Sequence, residues 1–264
     1  MKKLIFSSLT MASVALATNA EVNMIVEKLD GNIVKYNVDS LSQVYFEVIT
    51  VPDSVLQGVS VTGKVNGNTY VDLGLESGTL WATYNVGSEM PVEFGSYFAW
   101  GETVARDEFT KSNYLLADGS VYSHTKYCVD EEWGIIDFKT ILEKEDDAAT
   151  ANWGNGWRMP TVEEQQELVN GCQWSIVDDF NGTGVGGHVG VSRYNGRTIF
   201  FPFVGKKDPK LMLTENRGDY WSSSLDKRKS DCAWYFGLEK GATKSFGYGS
   251  RFVGRAVRAV VAAK

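Results

Sequence analysis

Hydrophobic and polar positions alternate over short stretches through most of the chain, and only two segments keep a helical period. Near the start, Met24-Ile25-Val26 and Ile33-Val34-Lys35-Tyr36 flank Asp30-Gly31, a favoured hairpin turn, and Val44-Tyr45-Phe46 offers a third strand. Three short strands with so little apolar cover are marginal alone, so they need a partner surface, either the main domain or another protein. From Ile49 to Asn66, Pro52, Asp53, Gly58 and Gly63 interrupt alternating valines, which reads as a linker with some extended structure. The strong helix signal begins at Thr161, where Thr161-Val162-Glu163-Glu164 forms a capping box after Pro160. Leu168 and Val169 supply its apolar contacts, and Gly171 suits a left-handed stop. A second helix is expected from about Leu142 to Asn152, with Asp146 and Asp147 exposed and Ala148 and Ala149 packed. The rest after Asn66 reads as short strands and long loops rich in Trp, Tyr and Gly, without a repeat of fixed period.

The first twenty residues break this pattern. Met1-Lys2-Lys3 supplies positive charge, Leu4 to Ala17 is a short apolar stretch, and Thr18 and Ala20 suit a peptidase cutting before Glu21. The stretch is shorter than the roughly 20 residues of a membrane span, and no later segment replaces it. The expected product is secreted or extracellular, with cell-surface association left open. Residues 21–48 are then a small β module, 49–65 a linker and 66–264 the main domain.

Composition narrows the function classes. Aromatic residues make up 12% of the chain with 27 glycines and 5 prolines, too rich in large apolar groups for disorder. A net charge of −7 argues against nucleic acid as a partner, since phosphate binding needs a basic surface. Cys128, Cys172 and Cys232 allow at most one internal disulfide, and spacing does not say which pair would close.

Several motifs resemble, in order, the Fibrobacter major paralogous domain and its relatives in the formylglycine-generating-enzyme branch of the C-type-lectin-like fold. They are Tyr70 to Leu75 with Ser77 to Thr83, Asn85-Val86-Gly87, Gly95 to Thr103, Asp146 to Ala149, Trp157 to Thr161, Tyr220 to Ser224 and Val257 to Val260. The resemblance covers about three quarters of the chain. It implies an α+β domain with two helices, short antiparallel strands and long loops, preceded here by a small β-hairpin module. It also implies ligand-binding loops near the C-terminus on a fixed frame.

The family's oxidase chemistry needs a pair of nearby C-terminal thiols, and only Cys232 stands there, so no catalytic residue is assigned and a formylglycine-generating-type oxidoreductase is the minor alternative. His124 and His188 are too few for an iron triad and read as surface or loop residues. The sugar-and-calcium tripeptides of classical C-type lectins are absent, and Asp178-Asp179-Phe180-Asn181-Gly182 reads as a turn more readily than as a calcium site. No metal or other cofactor is expected. Ser222-Ser223-Ser224 lacks a nucleophile-elbow setting, and the resemblance implies that it opens a core strand, while Glu143 to Asp147 reads as a solvated helix face.

The strongest functional candidate is Leu225 to Arg251. Ala233 to Phe236 reads as a strand between two loops, Asp226 to Ser230 and Lys244 to Arg251, that mix basic, aromatic and small residues suited to recognition. The candidate ligand-binding residues are Lys227, Arg228, Lys229, Lys244, Phe246, Tyr248 and Arg251, for an extracellular glycan or protein. Lys206-Lys207-Asp208-Pro209-Lys210 would extend the patch if it folds nearby. The alternative is a structural subunit of a cell-surface assembly, with residues 22–48 pairing strand to strand with another chain.

Overall fold

A computed structural model describes residues 58–209, 216–241 and 245–262, together with the backbone pairing of short strands at 2–3, 11–14, 23–27, 33–37 and 211–212. The chain divides into two compact units, Met1–Thr50 and Val51–Lys264.

In the first unit β1 (Lys2–Lys3), β2 (Met11–Val14), β3 (Asn23–Glu27) and β4 (Ile33–Asn37) form an antiparallel sheet in that order. The expected hairpin is β3 against β4, with Val26 opposite Val34. The third strand expected at Val44 to Phe46 lies outside the described residues.

The second unit is α+β and strand-rich. Its first strands are β5 (Gly63–Val65), β6 (Asn68–Asp72), β7 (Leu80–Ala82) and β8 (Tyr97–Phe98), followed by α1 (Ala148–Trp153) and α2 (Val162–Gly171). Then come β9 (Cys172–Val177), β10 (Gly187–Ser192), β11 (Thr198–Pro202), β12 (Lys206–Lys207) and β13 (Leu211–Met212). The chain ends through β14 (Arg217–Leu225), β15 (Cys232–Glu239), β16 (Ser245–Ser250), β17 (Arg255–Ala256) and β18 (Val260–Val261). The largest sheet has the order β16-β15-β14-β17-β8, beside sheets ordered β18-β7-β6-β5 and β11-β10-β9.

The stretch read as a linker therefore joins the second unit from residue 58 onward. Val65 pairs with Asn68 across Asn66-Gly67, both at positive φ, as a two-residue hairpin turn requires. The capping box forms as expected, with the Thr161 hydroxyl accepting from the Glu164 amide at 3.2 Å and the Glu164 carboxylate accepting from the Thr161 amide at 2.8 Å. Gly171, by contrast, ends α2 without a left-handed turn. It is needed for close approach, because a Cβ there would stand 2.6 Å from the Leu75 side chain. The other helix is shorter than expected and starts at Ala148, since Asp147 is its buried cap rather than an exposed residue. The Asp147 carboxylate accepts from the amides of Thr150 at 2.9 Å and Met159 at 2.8 Å.

The motif anchors converge. Trp100, Trp157 and Trp221 share one buried cluster with Phe98, Met159 and Val257, while Trp81 joins Leu168, Phe201, Tyr220 and Val260 in the neighbouring one. Each indole N–H of the first three finds a carbonyl, as buried Trp requires: Trp100 on Ser222, Trp157 on Val65 and Trp221 on Phe98. The three serines lie in β14 and are spent on structure. Ser222 donates to the Trp234 carbonyl, Ser223 to the Pro160 carbonyl, and Ser224 accepts from the Val162 amide.

Three buried arginines complete the interior. Arg255 lies 4.2 Å from the ring centroids of both Trp221 and Tyr235 and pairs with Asp219, and Arg258 lies 4.3 Å from that of Phe201. Arg258 has carbonyl and amide acceptors but no carboxylate, and burial pushes its guanidinium down to about 10. The third, Arg251, stands beside the candidate site.

Candidate ligand-binding face

The turn between β14 and β15 is closed by its own backbone. The Asp226 amide donates to the Cys232 carbonyl at 3.0 Å, the Lys229 amide donates to the Asp226 carbonyl at 3.1 Å, and the Lys229 carbonyl accepts from the Cys232 amide at 2.9 Å. Asp226, Ser230 and Asp231 point inward and are buried, leaving Lys227, Arg228 and Lys229 exposed. Those three cations stand over two carboxylates, so the turn carries a small net positive charge rather than a strong basic field.

Arg228 is held on two sides. Its Nε and Nη2 donate to the two oxygens of Asp226 at 2.9 and 3.1 Å, which raises the guanidinium pKa above its ordinary value. Its Cζ lies 5.3 Å from the Trp234 ring centroid and 4.9 Å from that of Tyr248, within cation–π range of both. Trp234 and Tyr248 are cross-strand neighbours on β15 and β16, packed edge to face at 5.9 Å. The Arg228 side chain stays 64% exposed and Tyr248 51% exposed, so the assembly is ordered yet open to solvent.

Lys229 turns the other way. Its Nζ lies 5.4 Å from the ring centroid of Trp133, which is stacked on Tyr122 at 5.3 Å and 19°. Tyr122 is 60% exposed. Both rings belong to the irregular segment between Tyr114 and Glu143, far from the expected binding segment in sequence. That segment is tied down by Asp137, whose carboxylate accepts from the amides of Tyr127, Cys128 and Lys139, and by Gly134, whose backbone packs against His124 where no Cβ fits.

Four of the sequence expectations need correction. Arg251 is fully buried and cannot touch a ligand. Its Nε donates to the Tyr114 hydroxyl at 2.8 Å, Nη1 to the carbonyls of Tyr127 and Ser230 at 3.2 and 3.0 Å, and Nη2 to the carbonyl of Lys126 at 3.0 Å, with its Cζ 4.9 Å from the Trp100 ring centroid. It thus bonds both segments that carry the exposed cations and rings, and the Val129 amide reinforces the joint by donating to the Ser230 hydroxyl at 3.1 Å. Second, the stretch read as a loop from Lys244 is mostly the edge strand β16, in which Gly247 lies where a Cβ would meet the Tyr235 ring at 2.5 Å. Phe246 on that strand is half-buried and stacks on Phe236, so it supports the sheet. Lys244 itself lies outside the described residues.

Third, Lys206 to Pro209 does not extend the patch. Lys207 pairs with Gly254 beside β17, three strand positions from β16, and its ammonium bonds Asp107 and sits over Tyr97; Lys210 lies outside the described residues. Fourth, His124 and His188 are both buried, not surface groups.

Other chemistry is sparse. The three cysteines are free and buried, and burial pushes the thiols of Cys172 and Cys232 up to about 12, well away from a nucleophilic thiolate. Phe180 to Gly182 is a single turn, with Asp179 accepting from the Gly184 amide. Among the described residues no three His, Cys, Asp or Glu side chains converge as a metal site, and no helix is long and apolar enough to cross a membrane. Comparison of the chain with protein-family models, with curated proteins and with solved structures gives no match.

Proposed function

We propose that the chain is an exported, non-catalytic ligand-binding or adhesion protein. In this reading residues 1–20 are a cleaved leader, and the second unit is a C-type-lectin-like frame of the formylglycine-generating-enzyme branch. The frame displays Lys227, Arg228, Lys229, Trp234 and Tyr248 to an extracellular glycan or protein. The observation that carries the reading is Arg228, fixed by a buried carboxylate and flanked by two rings while most of its side chain faces water. A guanidinium held in this way loses little rotamer freedom on meeting a ligand, which lowers the cost of binding.

The test is a glycan and protein array probed with the chain from Glu21 onward, then with Arg228→Ala and Tyr248→Ala. The expected result is a ligand whose signal falls in both variants while circular dichroism shows that each remains folded at the temperature of the assay. A signal that survives both substitutions contradicts the assignment.

The alternative, a subunit of a cell-surface assembly, draws support from β4, which stands at an edge of its sheet among the described residues. Deleting residues 21–48 separates the two readings, since ligand binding by the second unit should survive it and assembly should not.

A further inference from the structure

The two aromatic pairs on this face are not independent features. Arg228 and Lys229 are consecutive in the chain, yet one lies over Trp234 and Tyr248 and the other over Trp133, itself stacked on Tyr122. The order across the surface is therefore ring pair, cation, cation, ring pair, with both cations hanging from Cα atoms about 3.8 Å apart. Arg251 and the Val129–Ser230 bond lock the segment that carries Tyr122 and Trp133 to the turn that carries Arg228 and Lys229.

We infer that this face is a two-station site for an anionic polysaccharide, in which Tyr248 with Arg228 and Tyr122 with Lys229 engage successive parts of one sugar chain. The inference rests on the binding role proposed above and adds the second station and the ligand class. Two features select a charged glycan over a peptide strand. The turn's backbone amides at Asp226, Arg228, Lys229 and Cys232 are already bonded within it, so at both cations a ligand meets side chains, and the backbone edge on this face is confined to β16 at the Tyr248 end. What it presents are exposed Tyr rings, which suit the C–H faces of pyranoses, and cations that suit carboxylate or sulfate groups. Arg228 still has its Nη1 without a partner among the described residues, because Asp226 takes only Nε and Nη2. That nitrogen can donate to an incoming anion without disturbing the pair.

Isothermal titration of the chain with polygalacturonate and with dextran sulfate tests this, using neutral dextran and poly-L-glutamate as controls. The variants are Tyr122→Ala, Tyr248→Ala and the pair together, each checked for an unchanged melting temperature. One or both anionic polysaccharides should bind and weaken with added salt, with dextran and poly-L-glutamate far weaker. Each single substitution should lower affinity roughly five- to tenfold, the loss expected from removing one stacked ring. Loss in Tyr248→Ala with none in Tyr122→Ala overturns the second station and leaves the single-site binding role standing. Poly-L-glutamate binding as tightly as the polysaccharides overturns the glycan assignment in favour of an acidic protein partner. Failure of both anionic polysaccharides to bind overturns the inference, and the array described above then decides whether the broader binding role falls with it.

Discussion

Replacing Arg251 with methionine should destabilise the second unit far more than any substitution on the exposed face. The guanidinium donates four hydrogen bonds, to one phenol and three carbonyls, and the residue is 0% exposed. Methionine fills much of the volume and avoids a large cavity, but leaves those four acceptors without their donor. Hydrogen bonds from a charged donor contribute about 1.5–3 kcal/mol each, net of the donor's own desolvation. Some acceptors will recover a partner through water or small shifts, so a total of about 4 kcal/mol is expected. At roughly 2–4 °C per kcal/mol for a domain of this size, the melting temperature should drop by about 8–16 °C. Arg251→Lys separates charge from shape, because an ammonium keeps the charge but cannot fork to Tyr114, Tyr127, Ser230 and Lys126 at once; it should restore less than half of the loss. Circular dichroism melts of both variants beside Arg228→Ala give the comparison, and Arg228→Ala, which removes an exposed guanidinium from Asp226 at a site water can reach, should fall well short of the Arg251→Met drop. An Arg251→Met melt within 3 °C of the parent, or equal drops for Arg228→Ala and Arg251→Met, refutes the assignment of Arg251 as the strut.

Other outcomes follow from the same geometry. His124 is pushed down to about 4, chiefly by burial and further by the charge of Arg251, so it stays neutral in the folded chain while an unfolded His titrates near 6.5. Its contribution to stability is full above pH 6.5 and is lost as pH falls toward 4, with a slope of at most about 1.4 kcal/mol per pH unit; urea midpoints at pH 7 and 5 should converge in His124→Gln. A thiol reagent should find none of the three cysteines accessible in the native protein and all three after denaturation, and rapid native labelling would contradict their burial. Thr161→Ala removes one half of the capping box on α2 and should cost about 1 kcal/mol, read as a shift of the denaturation midpoint without a change in slope.

Local signals were the legible ones. The capping box at Thr161 and the hairpin of β3 and β4 follow from residue types at fixed short spacings and appear where the pattern places them, whereas the burial of Trp81, Trp100, Trp157 and Trp221 in two neighbouring clusters is a tertiary result. Asn66-Gly67 carried an equally local hairpin signal, but the glycines and proline before it made the stretch resemble a linker. What the pattern could not show was direction. Lys227 to Lys229 and Arg251 look alike as basic residues near aromatic ones, yet β16 presents Tyr248 to solvent and then delivers Arg251 into the interior. A buried arginine satisfied by carbonyls and rings, with no carboxylate, leaves no charge pattern to read. Tyr122 and Trp133 were missed for a related reason: they reach the site through tertiary bonds of Arg251, Ser230 and Asp137, and no spacing along the chain encodes that.

The claim on which the account depends is that the Tyr114–Glu143 segment and the β14–β15 turn form one rigid face through Arg251. Native-state hydrogen exchange at the Val129, Lys229 and Cys232 amides measures this most directly, since each is bonded within or between those two segments. Exchange should be slow at all three in the parent chain and should accelerate jointly in Arg251→Met, while the Glu164 amide, bonded within the capping box of α2, keeps more of its protection. Exchange at unfolded-chain rates in the parent, or acceleration in one segment without the other, contradicts it.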